Sequence, residues 1–314
     1  MLNVPAFKYP IVEKLYQIDF FIENEVLEEI LALGQEVVPD LEKILNDAAD
    51  NFDQYKEEEW PQFFHLNHAL YLLCELNAQT SFPHVLGLLD KSEDFMEWWF
   101  NIELYDEFPP LLYKLGITHL DLLFSYARDE NKPLNYRAIV HGVITKLALG
   151  FPEKREEILR YYEIHLNELL AGADELDEKY PEDDQRFGLS NGANIYEYIT
   201  YLIDYLQEMG ASELDQLIQQ FYEADLIIKI ILGTADNIRY NLVPMGVVDN
   251  IFDRYEMLRD SWLGNNHPIT PMPTTTTKVM TTGLLRKTPT AMKTRMMTQV
   301  GIITNCRTMK NHIR

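Results

Sequence analysis

The sequence predicts an all-α fold in which about five helical pairs stack into an α-solenoid, followed by a disordered C-terminal tail. Three observations predict it: apolar residues recur with helical period, strand-like runs are missing, and a helix–turn–helix segment returns along the chain. Residues 24–34, 62–76 and 195–209 each carry apolar side chains at the spacing of one helical face. Alternating β-branched runs between hairpin turns do not occur, so no strand is predicted.

The repeated unit is a helix that ends in Gly or Asn, a short linker and a second amphipathic helix. The predicted turn residues are Gly34, Asn77, Gly116, Gly150 and Gly210, and the last interval is longer than the others. Gly and Asn best tolerate the left-handed conformation that closes a helix. One pair cannot bury both its faces, so consecutive pairs are expected to stack. We expect them to share one apolar seam through Leu33, Leu76 and Leu115.

The spacing of these turns, about 40 residues, is typical of HEAT-like repeats. The helix–Gly–helix–Pro pattern of residues 30–45 resembles HEAT and phycobilisome-lyase-type repeats. The stretches EWWFNIELYDEFPPLLYKLG (97–116) and LNYRAIVHGVITKLALGFPEKREEIL (134–159) resemble uncharacterised bacterial HEAT-repeat proteins, over roughly residues 24–170. The resemblance implies a HEAT-like α-solenoid and no particular activity. Such proteins often end in a cysteine-rich zinc motif of the SEC-C type, which is absent here because Cys306 stands alone.

The charge of the chain is divided between an acidic body and a basic tail. The net charge is −23, but residues 265–314 contain eight Lys or Arg and no Asp or Glu, which leaves −31 for residues 1–264. An acidic surface repels phosphate, so neither nucleic acid nor an anionic membrane is expected as a partner. A protein partner with a basic segment is expected instead.

Cysteine content and hydropathy indicate a cytoplasmic protein. The two cysteines, Cys74 and Cys306, exclude a disulfide framework and a Cys-rich zinc site, and Cys74 reads as a small buried hydrophobe. No apolar run approaches the ~18 residues of a membrane span, and the N-terminus has no signal-peptide core. No cofactor and no metal site are predicted.

Residues 1–264 are predicted as the helical repeat domain. An acidic insertion at 171–190, expected to be a solvated surface loop, accounts for the longer interval between Gly150 and Gly210. Residues 265–314 are rich in Thr and Met and lose helical period, which predicts a disordered basic tail. An alternative hypothesis is that this tail is translated out of frame. Five of its six Met codons precede a codon that begins with A. In one shifted frame, reading across each of these codon pairs gives Asp or Glu, so the shifted product would be acidic like the body.

The best binding candidate is the aromatic and acidic segment 97–106, expected at the start of a helix that lines the inner curve of the solenoid. Trp, Tyr and Arg are enriched in binding hot spots, although adjacent tryptophans are also common in cores. His65 and His68 lie three apart, so they share a helix side and could ligate a metal with a third residue; surface or seam positions are the alternative. The candidate partner-binding residues are Trp98, Trp99, Tyr105, Asp106, Tyr136, Arg137, His65 and His68.

The sequence therefore predicts a non-catalytic scaffold or adaptor that binds a protein on the concave face of the solenoid. The alternative is a lyase- or chaperone-like enzyme acting in the same groove, for which His65, His68, Asp106 and Arg137 are the available polar groups. No nucleophile elbow, phosphate-binding loop or dinucleotide fingerprint occurs, so no catalytic residue is assigned.

Overall fold

A computed structural model describes residues 4–17, 22–57, 63–100, 104–180, 194–238, 240 and 250–256. These residues form helices and turns, and no strand occurs among them. The chain divides into two units, residues 1–266 and 267–314, and all described residues belong to the first. The predicted tail, 265–314, lies outside the described residues. None of the described helices is long and apolar enough to cross a membrane.

Fourteen α-helices are bounded within the described residues. The first seven are α1 Asn24–Leu31, α2 Val38–Asp50, α3 Phe52–Lys56, α4 His65–Glu75, α5 Phe82–Gly87, α6 Glu93–Phe100 and α7 Leu104–Gly116. The others are α8 Leu120–Arg128, α9 Leu134–Gly150, α10 Arg155–Ala171, α11 Leu176–Lys179, α12 Ile195–Glu208, α13 Asp215–Glu223 and α14 Lys229–Leu232. Each of the five predicted turns falls between two helices, and the pairs are α1–α2, α4–α5, α7–α8, α9–α10 and α12–α13.

Three of the five predicted turn residues adopt the left-handed conformation. The φ angle is +57° at Gly34, +50° at Asn77 and +67° at Gly210. After α4 the Ala78 N–H donates to the Leu73 carbonyl at 2.9 Å, the bond that closes a helix beyond a left-handed residue. The turn chemistry read from the sequence is confirmed at these positions.

Gly116 and Gly150 serve a different purpose from the predicted one, because neither has a positive φ. A Cβ at Gly116 would lie 3.0 Å from Cε2 of the Phe82 ring, and a Cβ at Gly150 would lie 2.2 Å from the Tyr113 hydroxyl. Both glycines therefore let a neighbouring side chain approach the backbone.

Successive helix pairs contact one another at a constant separation in the sequence. Ser81 donates to Glu42 at 2.7 Å, Thr118 donates to Gln79 at 2.9 Å, and the Tyr126 hydroxyl donates to the Leu89 carbonyl at 3.2 Å. These contacts join residues 37 to 39 apart, close to the predicted spacing of the turns. Later in the chain Arg155 forms an ion pair with Glu213 at 3.0 Å across 58 residues, in agreement with the longer last interval.

The apolar core runs through all of these helices, and α9 lies near its middle. Nearly every side chain of α9 is buried, since this helix packs against α7, α8, α10 and α12. The three residues of the expected seam are not equivalent: Leu115 is fully buried, while Leu33 and Leu76 are half-buried against the core. The turn at Gly116 also differs in conformation from those at Gly34 and Asn77, which have positive φ angles.

The first part of the predicted acidic insertion is folded. Residues 173–179 form a short 3₁₀ turn and α11, and both Leu176 and Tyr180 are buried. The expectation of a loop is therefore wrong for residues 171–179, which are helical apart from Gly172, whereas most of their side chains are exposed as expected. Residues 181–190 lie outside the described residues.

A helical stretch near the end of the body packs against α4, far away in the sequence. Residues 251–256 are helical, and we call residues 250–256 the returning segment. Asn250 starts this helix: its side chain accepts from the Asp253 N–H at 2.9 Å and donates to the Asp253 carboxylate at 2.6 Å. This reciprocal pair is a capping arrangement that satisfies the first turn.

Candidate functional site

The structure places most of the predicted binding residues in the interior. His65, His68, Trp99, Tyr136 and Arg137 are buried, and Trp98 is half-buried. The expectation that they line an open groove is corrected for these residues, since they pack into clusters. The segment 97–106 does not start one helix: Trp98 and Trp99 end α6, whereas Tyr105 and Asp106 lie in α7, with side chains outside the described residues.

His65 lies in an aromatic cluster near the N-terminus. Its ring stacks on Tyr16 at 4.2 Å between centroids and meets Tyr55 and Trp99 at 5.0 Å each. Neither ring nitrogen of His65 has a hydrogen-bond partner. Burial, helped by the nearby His68, lowers the pKa of His65 to about 3. His65 is therefore a neutral imidazole that packs as an aromatic ring.

Asp47 organises the hydroxyl groups of the same cluster. Its carboxylate accepts hydrogen bonds from the Tyr16 hydroxyl at 2.7 Å, the Tyr55 hydroxyl at 2.5 Å and the Asn51 amide at 2.7 Å. Burial and the neighbouring Asp47 carboxylate raise the pKa values of both tyrosines. The carboxylate thus holds the two rings that enclose His65, and the arrangement is one of packing and orientation.

Arg137 is the centre of a second cluster, between α8, α9, α10 and α12. Its guanidinium donates to the Ala127 carbonyl at 2.8 Å, to the Tyr180 hydroxyl at 3.4 Å and to the Tyr198 hydroxyl at 3.2 Å. Its Cζ also lies 4.7 Å from the centroid of the Tyr198 ring. Among the described residues no carboxylate forms an ion pair with Arg137, so neutral oxygens and a π face solvate the buried charge.

Two histidines meet the same tyrosine hydroxyl. His141 Nε2 is 2.8 Å and His165 Nε2 is 2.9 Å from the Tyr198 oxygen. The Tyr198 hydroxyl has one proton to donate, so at least one of the two imidazoles must donate to its oxygen. The buried Nδ1 of His141 has no partner.

Burial determines the charge states in this second cluster. Desolvation, with the Arg137 charge nearby, lowers the pKa of His165 to about 3 and the pKa of His141 well below its usual value. Desolvation raises the pKa of Tyr198 to about 12, against the opposing effect of Arg137. The cluster therefore holds one permanent cation among neutral donors and acceptors.

The third arrangement is the contact between α4 and the returning segment. Glu75 accepts from the Ile251 N–H at 3.1 Å, Arg254 donates to the Tyr71 hydroxyl at 3.1 Å, and His68 Nδ1 lies 2.5 Å from the Tyr255 hydroxyl. The Arg254 guanidinium is 4.3 Å from the centroid of the Tyr71 ring. One face of α4 thus provides a carboxylate, an aromatic ring and an imidazole to a helix from the far end of the body.

Residues 10–98 match the family described as "Protein of unknown function (DUF1186)". Comparison with curated proteins and with solved structures found no match. The DUF1186 match runs from a 3₁₀ helix at Pro10–Tyr16 into α6, so it contains α4 with His65, His68, Tyr71 and Glu75. The Arg137 cluster lies outside the matched residues.

The two histidines do not share a metal site. His65 points into the aromatic cluster, while His68 contacts Tyr255. Within the described parts of the chain, no group of three or more His, Cys, Asp or Glu side chains could hold a metal ion. Burial raises the pKa of the Cys74 thiol to about 12, which leaves it unreactive.

Several residues of these clusters did not stand out in the sequence. His141, His165 and Tyr198 lie on three different helices, and Tyr255 belongs to a segment without a distinct motif. A weak signal existed for the histidines, since each lies on the otherwise apolar face of a long predicted helix. Nothing in the sequence pattern paired the returning segment with α4.

Proposed function

We propose that this protein is a non-catalytic scaffold that binds a helical segment of a partner protein, in agreement with the function expected from the sequence. Within this proposal the five helix pairs stack as a HEAT-like α-solenoid. The recurrent contacts at separations of 37 to 39 residues support such a stack, because equivalent positions of neighbouring pairs meet repeatedly.

The single observation that carries the proposal is the contact between α4 and the returning segment. Side chains of α4 hold a short helix by its backbone start, by a guanidinium and by a tyrosine hydroxyl. Helix-in-groove recognition uses the same elements: apolar anchors one turn apart and polar contacts that fix the register. The α4 face is therefore built to hold a helix.

The exposed surface supports a partner site at α4 rather than elsewhere. Among the described residues, the large hydrophobic side chains that stay exposed are Val4, Ile164 and Ile230. They belong to different elements of the chain: Val4 precedes α1, Ile164 lies in α10 and Ile230 lies in α14. An apolar anchor of a partner would find its counterpart on α4, which the returning segment covers.

The polar groups considered for catalysis favour binding over an enzyme of the lyase or chaperone kind. His65 lies in the N-terminal aromatic cluster, His68 contacts the returning segment, and Arg137 belongs to the central cluster. They meet different partners in three separate arrangements. Catalysis requires its groups within hydrogen-bond reach of one substrate, and the separation of these three arrangements supports binding instead. The side chain of the fourth candidate, Asp106, lies outside the described residues.

The test is affinity capture with the full chain and with a variant of the α4 face, Tyr71→Ala/Glu75→Gln. A true partner is expected to be retained by the wild type, released by salt because the body carries −31, and lost from the variant. Its purified form should then bind the wild type in a 1:1 ratio by calorimetry. A matched control is Tyr196→Phe, which changes a half-buried tyrosine of α12 whose hydroxyl donates to Asp177 at the surface. The proposal fails if every captured protein binds the wild type and the α4 variant equally.

A further inference from the structure

The returning segment is held by a small set of identifiable contacts. The capping pair of Asn250 and Asp253 begins its helix, and side chains of α4 bind its described residues. Two side chains one turn apart, Ile251 and Tyr255, are its buried anchors.

The contacts define what kind of helix the α4 face accepts. The Glu75 carboxylate accepts the first free N–H of the helix, and Tyr71 receives a guanidinium on its ring. His68 meets a phenol, and Tyr71 also packs edge-on against that ring at 6.0 Å. A matching helix therefore needs an apolar residue, an Arg three positions later and a Tyr immediately after the Arg.

Two exposed charges of the returning segment have the same sign as the net charge of the body. Asp253 and Glu256 are exposed on it, and the body of residues 1–264 has a net charge of −31. Like charges on one surface repel, and the effect is largest at low ionic strength. A helix with the same anchors and a basic outer face would bind with less repulsion.

We propose that residues 250–256 are an exchangeable cover of the α4 face, and that the partner displaces them with a basic helix carrying the same Ile, Arg and Tyr pattern. This inference rests on the proposed scaffold function and adds its regulation and the chemistry of its partner. The bound helix of the chain itself keeps the site closed to other apolar segments. A partner gains access only when its helix outcompetes the tethered one.

The experiment measures fluorescence anisotropy of a labelled peptide with the sequence of residues 248–258, titrated with full-length protein. The wild type is expected to bind it weakly, because its own segment occupies the face. The variant Ile251→Ala/Tyr255→Ala releases the cover and should bind the peptide at least about tenfold more tightly. Adding Tyr71→Ala to that variant should abolish the gain. Equal binding by wild type and variant, or a gain that survives Tyr71→Ala, overturns the proposal.

A second peptide tests the charge argument. Substituting Glu256→Lys in the peptide changes only an exposed position, so tighter binding should appear at low salt and fade at high salt. The same affinity for both peptides at low salt contradicts a preference for a basic helix. A peptide with Tyr255→Ala should not bind.

Amide hydrogen exchange needs only the wild type, so it keeps the proposal testable if the variant does not fold. Amide hydrogen exchange of residues 251–256 should proceed by local opening, much faster than exchange in α9. Protection equal to that of α9 overturns exchangeability.

Sedimentation gives the oligomeric state: a dimer that dissociates on Ile251→Ala/Tyr255→Ala would mean that a second copy supplies the helix, and it overturns the intramolecular cover. Peptide binding without any captured partner would leave the exchangeable cover intact and reject the scaffold function.

Discussion

At the scale of single residues, the Tyr198 hydroxyl is the most connected polar group of the central cluster. Arg137, His141 and His165 all reach it within 3.2 Å, although these residues are buried and come from two different helices. Without this oxygen the Nε2 atoms of both histidines and one terminal nitrogen of Arg137 would lose their hydrogen-bond partner. Leaving a buried donor or acceptor unpaired costs roughly 1–3 kcal/mol.

Tyr198→Phe is therefore expected to lower the free energy of unfolding by about 3–5 kcal/mol, the combined cost of leaving these groups without a partner. Urea denaturation followed by circular dichroism at pH 7.5 measures it. The matched control on the same helix is Tyr196→Phe, whose hydroxyl is at the surface and donates to Asp177; its effect should stay within about 1 kcal/mol. Equal effects of the two substitutions would show that the Tyr198 network contributes no stability.

At the scale of helices and turns, glycines in similar sequence positions have different physical roles. Gly116 ends α7 against the buried side chains of Phe82 and Leu123, 3.0 and 3.2 Å from the position of a Cβ. Gly87 ends α5 with φ −64° and open space around that position. Packing, rather than backbone conformation, distinguishes the two.

Gly116→Ala should destabilise the protein by about 1–3 kcal/mol, because Phe82 and Leu123 must shift within a close-packed core. Gly87→Ala should stabilise it by about 0.4–1 kcal/mol, since Ala fits this helical conformation and restricts the unfolded chain. Differential scanning calorimetry of the two variants beside the wild type checks the opposite signs. A rise in Tm for both substitutions would contradict the close contact at Gly116.

Elements with a local cause were predictable from the sequence, and features with a distant cause were not. Helical periodicity and the turns at Gly34, Asn77 and Gly210 depend on neighbouring residues, so the pattern of the chain contained them. The burial of Arg137 depends on Tyr180 and Tyr198, 43 and 61 residues away. No periodic pattern reports such contacts, and an aromatic residue beside an Arg looked like a surface feature for that reason.

At the scale of the whole molecule, three buried histidines make the fold sensitive to acid. Burial lowers the pKa of His65 and His165 to about 3 and lowers that of His141 well below its usual value. His65 lies near His68, and two tyrosines connect its cluster to Asp47. The other two, His141 and His165, lie near Arg137, Arg128 and Glu168. None of these neighbours stabilises an imidazolium enough to offset burial.

The free energy of unfolding should therefore fall as the pH is lowered from about 6.5 toward 3. In that range the unfolded chain binds protons that the folded chain excludes, and each histidine contributes up to about 1.4 kcal/mol per pH unit. Neutralising carboxylates of the acidic body acts in the opposite direction. Comparison of wild type with His65→Phe isolates the histidine effect: urea denaturation at pH 7, 6 and 5 should show a shallower slope for the variant, by about one proton. Parallel slopes would mean that His65 titrates normally in the folded protein.

The long sequence separation between α4 and the returning segment also sets an order of events during protein synthesis. Glu75 leaves the ribosome 176 residues before Ile251, which corresponds to roughly 10–35 seconds at ordinary elongation rates. Throughout that time the nascent chain displays Tyr71 and His68 without their later cover. Under the proposed scaffold function, a partner present at the ribosome would meet the α4 face before the competing helix of the chain has been made.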